Sequence, residues 1–160
     1  MWRAATLAMI FVTTAPHLSF AQGTCFSDDE LKSVLTTVFL TQLGNGLGTC
    51  ARKYPQLDEI AKTQLNAFSD RYRSEMRDVR NAATRAYERQ VKGKGAELLD
   101  KNNAAATQSS KQTYEAYNVE QCKKHITAVE AMVAVDDWHL VVTPPLALSF
   151  PQDRARIPKC

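Results

Sequence analysis

The strongest constraint in this sequence is its set of four cysteines, Cys25, Cys50, Cys122 and Cys160. An even number of cysteines in an exported chain is typical of a fold held by disulfides, and two bridges here would join distant segments. Cys25 and Cys50 flank a predicted helix of roughly 25 Å, which holds them too far apart to pair. The sequence therefore favours Cys25 with Cys122 and Cys50 with Cys160. The competing set pairs Cys50 with Cys122 and Cys25 with Cys160.

Export is indicated by residues 1–21, which follow the order of a secretory signal peptide. Arg3 precedes an apolar run over residues 4–12, and small and polar residues follow it as far as Ala21. We predict cleavage before Gln22. An uncleaved membrane anchor is the less favourable interpretation, because the apolar run is roughly half of the length that a helix needs to span a bilayer.

Residues 22–160 are predicted to form a single domain that is periplasmic or secreted. The most apolar later stretch, residues 31–43, is interrupted by Lys32 and by uncharged polar side chains, so no transmembrane segment is expected after cleavage. The formal net charge of +3 is close to neutral, and it gives no reason to expect nucleic acid or an anionic membrane as a partner. The expected partner is another protein.

The spacing of apolar residues predicts an all-α fold that begins with a short helix. Ser27 followed three residues later by Glu30 forms a capping box, which is typical of a helix start. Apolar residues then recur at steps of three and four over residues 31–43, as expected for one buried helix face. Three glycines within residues 44–48 favour irregular backbone, so we predict that the first helix ends there.

A long helical hairpin is predicted to follow. Pro55 is a favourable first-turn residue, and the helical period then continues without proline or glycine to Gly93, over roughly 50 Å. The turn is placed at residues 93–95, with Asn102-Asn103 as the alternative. A third helix runs from Tyr114 to about residue 135 and carries Cys122 on its apolar face.

The last segment, residues 138–160, is expected to be extended. Pro144 and Pro145 are adjacent in an otherwise apolar run, and a proline inside a helix removes a backbone donor and clashes with the preceding turn. The predicted architecture is therefore a three-helix arrangement, a short helix plus a long helical hairpin, with an extended C-terminal tail and stabilising disulfides. A bridge to Cys160 would hold that tail on the helices.

One group of polar residues could support catalysis or metal binding. Asp136, Asp137 and His139 bring together carboxylates and an imidazole, as general acid-base sites do, and they suggest a small exported enzyme or metal-binding protein as an alternative function. Cys122 and His125 have the spacing of two metal ligands on one helix face. Neither pattern is specific, since a disulfide would remove Cys122 from the ligand set. We predict no catalytic residue, no metal and no cofactor.

Two further features could contact a partner. Arg73, Arg77 and Arg80 fall on one face of the second predicted helix and suggest polyanion binding as another alternative. Acidic residues are interleaved with them, which is typical of a solvated helix. Trp138 is interpreted mainly as an anchor for the tail. The leading hypothesis is an exported, non-catalytic binding or accessory protein that engages another protein through a helix face or the tail.

Overall fold

The computed structural model describes residues 25–160, and the predicted signal peptide lies outside the described residues. The described chain is helical and contains no β-strand. None of the described helices has the length and apolarity needed to cross a membrane. A short 3-10 turn, Pro55–Leu57, separates the first two of six helices: α1 (Asp28–Lys53), α2 (Asp58–Arg71), α3 (Arg73–Gln90), α4 (Gly95–Glu115), α5 (Val119–Val133) and α6 (Trp138–Arg156). The all-α prediction is confirmed, but six helices replace the three that were expected.

Helix α1 is the centre of the fold and contacts all five other helices. Two hydrophobic clusters lie along it. The first core surrounds its C-terminal half and joins α2 and α5, with Phe39, Leu43, Leu47, Phe68, Tyr72, Ile126, Val129 and Met132 among its buried residues. The second core surrounds its N-terminal half and joins α3, α4 and the end of the chain, with Phe26, Leu31, Val34, Leu35, Ala83, Ala86, Tyr87, Leu99 and Ile157.

The start of α1 is as predicted, but its end is not. The Ser27 N–H donates to the Glu30 carboxylate (2.8 Å), and the Glu30 N–H donates to the Ser27 hydroxyl (3.2 Å), which completes the capping box. The helix then continues through the glycine-rich residues 44–48 and ends at Lys53. Gly46 explains why: it lies against the ring of Tyr114 from α4, where a Cβ atom would come within 2.8 Å of ring carbon atoms. The glycine permits a close helix contact instead of ending the helix.

The long second helix is divided at Tyr72, between α2 and α3. Tyr72 has φ −110° and ψ 24°, and its ring is buried between Phe68 (centroids 5.0 Å apart) and Trp138 (5.2 Å). The Tyr72 hydroxyl donates to the carbonyl oxygen of Met132 at the end of α5 (2.8 Å). These tertiary contacts coincide with the break, and the hydrophobic period of the sequence carries no information about them.

The predicted turn at residues 93–95 is confirmed. Gly93 has φ +78°, a conformation that favours glycine, and the Glu88 carboxylate accepts hydrogen bonds from the N–H groups of Gly93 and Gly95 (2.8 Å for the latter). The polar residues after this turn form α4. Its contact with α1 uses small residues such as Ala106 and Ser110, whose hydroxyl donates to the Gln42 carbonyl (3.1 Å), so the hydrophobic pattern of the sequence did not reveal it.

The C-terminal segment, expected to be extended, forms helix α6 despite its prolines. A proline deprives the carbonyl four residues earlier of its helical donor. For Pro144, Pro145 and Pro151 those carbonyls belong to Leu140, Val141 and Ala147, of which Leu140 and Ala147 are exposed residues and Val141 is buried. Val141 and Val142 lie on the face that is buried against the rest of the fold. Burial of this face favours the helix over the extended chain that proline chemistry alone suggested.

The preferred disulfide pairing is wrong, and the structure has the competing set. Cys50 is bonded to Cys122 (Cα atoms 5.6 Å apart), and Cys25 is bonded to Cys160 (5.0 Å). Because α1 extends to Lys53, Cys50 lies in its last turns beside α5, which presents Cys122. Because α6 returns along the body, the end of the chain meets its described beginning, and the Phe26 N–H donates to the Pro158 carbonyl (3.1 Å).

We expect Gly46→Ala and Gly48→Ala to have opposite effects on stability. Alanine in a helix interior is favoured over glycine by up to about 1 kcal/mol, and at Gly48 the added methyl meets only Arg52, at 3.6 Å. At Gly46 the methyl would overlap the Tyr114 ring, and overpacking of this kind costs about 1 to 3 kcal/mol. Urea unfolding of both variants measures the difference. A Gly46→Ala variant as stable as Gly48→Ala would contradict the close contact with Tyr114.

Candidate functional site

The three arginines of the predicted partner-binding face are all exposed, and each is paired with an acidic side chain. The pairs are Arg73–Asp70 (2.5 Å), Arg77–Asp78 (3.4 Å) and Arg80–Asp100 (2.8 Å). Exposed pairs of this kind contribute little to stability, but they lower the local positive charge that a polyanion would recognise. The structure therefore places these residues in a mixed-charge surface of α3.

Asp136, Asp137 and His139 lie together at the corner between α5 and α6. The Asp136 carboxylate forms an ion pair with the guanidinium of Arg71. Asp137 is the N-cap of α6, and its side chain accepts a hydrogen bond from the His139 N–H (2.9 Å). No group of three or more His, Cys, Asp or Glu side chains within residues 25–160 could hold a metal ion. Both carboxylates thus have structural partners at the start of α6.

Trp138 is half-buried and packs on the first core through Tyr72. Next to it, the Arg71 guanidinium donates to the carbonyl of Val135 (3.0 Å), which also accepts from the Tyr72 hydroxyl (2.5 Å). These contacts fix the α5–α6 corner to the junction of α2 and α3. Trp138 therefore anchors α6 to the body, which agrees with its interpretation as an anchor.

His125 does not lie at this corner, because it is buried in the first core. Its ring lies against Tyr114 (centroids 4.7 Å apart), and the Tyr114 hydroxyl lies 3.1 Å from Nε2. Burial lowers the pKa of His125 from 6.5 to about 4, and burial also raises the pKa of Tyr114. Both groups are therefore neutral near pH 7. The pair serves as a buried polar contact between α4 and α5, and Cys122, bonded to Cys50, does not join it as a ligand.

The exposed side of α6 is the most unusual surface of the described chain. Residues 138–152 contain no Asp, Glu, Lys or Arg. Leu140 and Leu148 remain 64% and 51% exposed, although large apolar side chains are usually buried in a folded chain. Four smaller exposed apolar residues lie on the same side of the helix. We call this set the α6 strip: Leu140, Pro144, Ala147, Leu148, Pro151 and Ala155.

The members of the α6 strip follow helical spacing. We did not predict this strip from the sequence. Its members succeed one another at steps of four, three, one, three and four residues, and such steps place side chains on one face of a helix. The two adjacent prolines led us to expect an extended chain, in which these positions would not share a face. The signal was present in the spacing of Leu140, Leu148 and Pro151, but it has meaning only if the segment is helical.

Comparison with protein-family models, with curated proteins and with solved structures finds no match for this chain. The chain's own surface is therefore the source of functional information. A contiguous exposed apolar surface on a folded protein commonly marks an interaction site. The α6 strip is therefore the candidate functional site.

We expect the stability of the protein to fall as the pH is lowered from 7.5 to 5, because of His125. Its pKa is 6.5 in the unfolded chain and about 4 in the folded protein, so the unfolded state binds a proton first and gains stability below pH 6.5. The expected decrease in the free energy of unfolding is about 2 kcal/mol by pH 5.

Denaturant unfolding at several pH values measures this decrease, and His125→Gln should abolish most of it. The matched control is His139→Gln, at an exposed histidine, which should keep the decrease. Glu30 has a pKa lowered to about 2, chiefly by the Arg89 guanidinium, so its contribution is lost only at lower pH and is separable. An unchanged pH dependence in His125→Gln would show that other groups cause the decrease.

Proposed function

We propose that this chain is an exported, non-catalytic binding or accessory protein that contacts another protein through the α6 strip. The observation that carries the proposal is the exposure of Leu140 and Leu148 in an uncharged stretch of a helix that is otherwise packed on the body. Keeping two leucines partly in water is unfavourable, and covering their exposed half to two-thirds with a partner recovers roughly 1 to 2 kcal/mol for each side chain.

Export is supported by the leader and by the two bridges. Disulfides form and persist in oxidising compartments such as the periplasm and the extracellular space. All four cysteines are paired, and Cys160 is exposed, where reducing conditions could reach its bridge. A protein that uses a surface disulfide to fasten its C-terminus is suited to an oxidising environment.

A non-catalytic role is supported by the partners of the residues that suggested chemistry. Asp136 is held by Arg71, Asp137 caps α6, and His125 is buried against Tyr114. A general acid or base has to reach a substrate, and burial or a structural hydrogen bond limits that access. These roles make the catalytic and metal-binding alternatives less favourable, and the acidic partners of the α3 arginines do the same for the polyanion alternative.

The chemistry of the strip favours a protein partner. Nucleic acid is bound through cations, and those of α6 are confined to Arg154 and Arg156 in its last turn, where Arg154 is paired with Asp28. Helices that lie on membranes usually carry Lys or Arg along the length of the apolar face, whereas residues 138–152 of α6 have none. A protein surface can supply an apolar groove that accepts such a helix face.

Peptide mapping of the exported chain without reductant tests the compartment and the bridges together. We expect the N-terminus at Gln22, the peptide that contains Cys25 joined to the C-terminal peptide, and the Cys50 peptide joined to that of Cys122. Trypsin separates these peptides, since Lys or Arg lies between each pair of cysteines. Material that begins at Met1, or thiols that alkylate without reductant, would contradict the proposal of export.

Site-specific photo-cross-linking tests the α6 strip. Benzoylphenylalanine placed at Leu148 should form an adduct with a protein partner in the compartment to which the chain is exported. The matched control is the same group at Ile60 of α2, an apolar position of similar exposure (46%) outside the strip. Excess unlabelled mature chain should compete the Leu148 adduct away, and a Leu140→Ser variant should not compete. Equal labelling from both positions would contradict a specific site on α6.

A further inference from the structure

The α6 strip is symmetric about its own midpoint. Each member has a counterpart at the same distance on the other side of the bond between residues 147 and 148. The pairs are Ala147 with Leu148, Pro144 with Pro151, and Leu140 with Ala155. All six of these residues are apolar, and all six are exposed.

This symmetry suits an antiparallel pair of identical helices. In a two-fold interface the same patch serves both copies, so a residue that meets a second residue is met by it in return. A two-fold axis that crosses α6 at its midpoint places Ala147 beside Leu148 of the second copy, and Leu148 beside Ala147 of the second copy. It brings Pro144 near Pro151 of the second copy and Leu140 near Ala155 of the second copy. In the outermost pair the large side chain of Leu140 then lies over the small Ala155.

The charges at the two ends of α6 favour the same orientation. Asp137 is exposed at the N-terminal end, and Arg156 is exposed at the C-terminal end. Antiparallel pairing brings the acidic end of one copy to the basic end of the other, whereas parallel pairing would bring like charges together. The dipoles of two antiparallel helices also oppose one another, which is favourable.

We propose that the occupant of the α6 strip is a second copy of this chain, and that the protein forms a two-fold homodimer through antiparallel pairing of α6. The inference rests on the proposed function, because it names the partner for the surface proposed there. Helix α6 has 19 residues and is roughly 28 Å long, so a pair of such helices buries an area at the lower end of specific interfaces. We therefore expect a reversible dimer.

Sedimentation equilibrium of the oxidised mature chain, over concentrations from about 1 to 200 µM, tests the dimer. Leu148→Asp places two carboxylates beside one another at the axis, and it should weaken dimerisation by at least about tenfold. The control is Ile60→Asp, which adds the same charge at a similarly exposed position and should leave the dissociation constant unchanged. Circular dichroism checks that both variants are folded.

A pair of double variants tests the register. Leu140→Glu with Ala155→Lys creates opposite charges that lie 15 residues apart, roughly 22 Å along one helix, so they can pair only between copies. Leu140→Glu with Ala155→Glu differs from it at one position and creates like charges instead. The first variant should dimerise and lose affinity as salt is raised, and the second should be monomeric. Equal behaviour of the two variants would overturn the antiparallel register.

The outcomes separate this inference from the proposed function. A wild-type chain that is monomeric at every concentration, with a Leu148 adduct to a different protein, would overturn the homodimer and leave the α6 strip as a binding surface. A dimer unaffected by Leu148→Asp would overturn the homodimer through α6. Flotation of the wild-type chain with phosphatidylcholine vesicles, abolished by Leu148→Asp, would overturn both in favour of a membrane surface.

Discussion

The burial of α1 among five other helices is the constraint on which the rest of the structure depends. A helix surrounded in this way must pack against neighbours on nearly every side. Helix α1 can do so because it has small residues and polar side chains that hydrogen-bond to its own backbone. The hydroxyls of Thr36 and Thr37 donate to carbonyls of their own helix (2.8 and 2.7 Å), which removes the penalty of burying them. Gly46 allows the Tyr114 ring to approach the backbone. Helices α4 and α5 can therefore pack where a conventional amphipathic helix would meet water.

The two disulfides each fasten one end of this central helix. Cys50–Cys122 is buried in the first core and ties the last turns of α1 to α5. Cys25–Cys160 closes the second core at the surface, where Arg89 of α3 donates to the Glu30 carboxylate (2.6 and 2.8 Å) and to the Cys25 carbonyl (3.2 Å). The chain's C-terminus is thereby held against the start of α1. This attachment holds α6 along the body with its apolar strip outward.

Much of the local structure could be predicted from the sequence, whereas the candidate site could not. The Ser27–Glu30 capping box and the turn at Gly93 each depend on neighbours within a few residues, and both are confirmed. The end of α1 and the state of residues 138–160 depend on contacts between distant segments, and both predictions were wrong. The α6 strip was missed for the same reason, since its members share a face only once the segment is helical.

The sequence by itself determined that this chain is helical and where its first two helices begin, because capping, periodicity and turn chemistry act over one or two turns of backbone. Tertiary contacts decided the backbone conformation at glycines and prolines, where the sequence pattern was ambiguous. Glycine and proline weaken a helix by about 1 and 3 kcal/mol, and these penalties are small enough for burial to overcome at Gly46 and Pro145. Tertiary structure also decided the cysteine pairing, because the length of α1 and the return of α6 along the body determine which thiols meet.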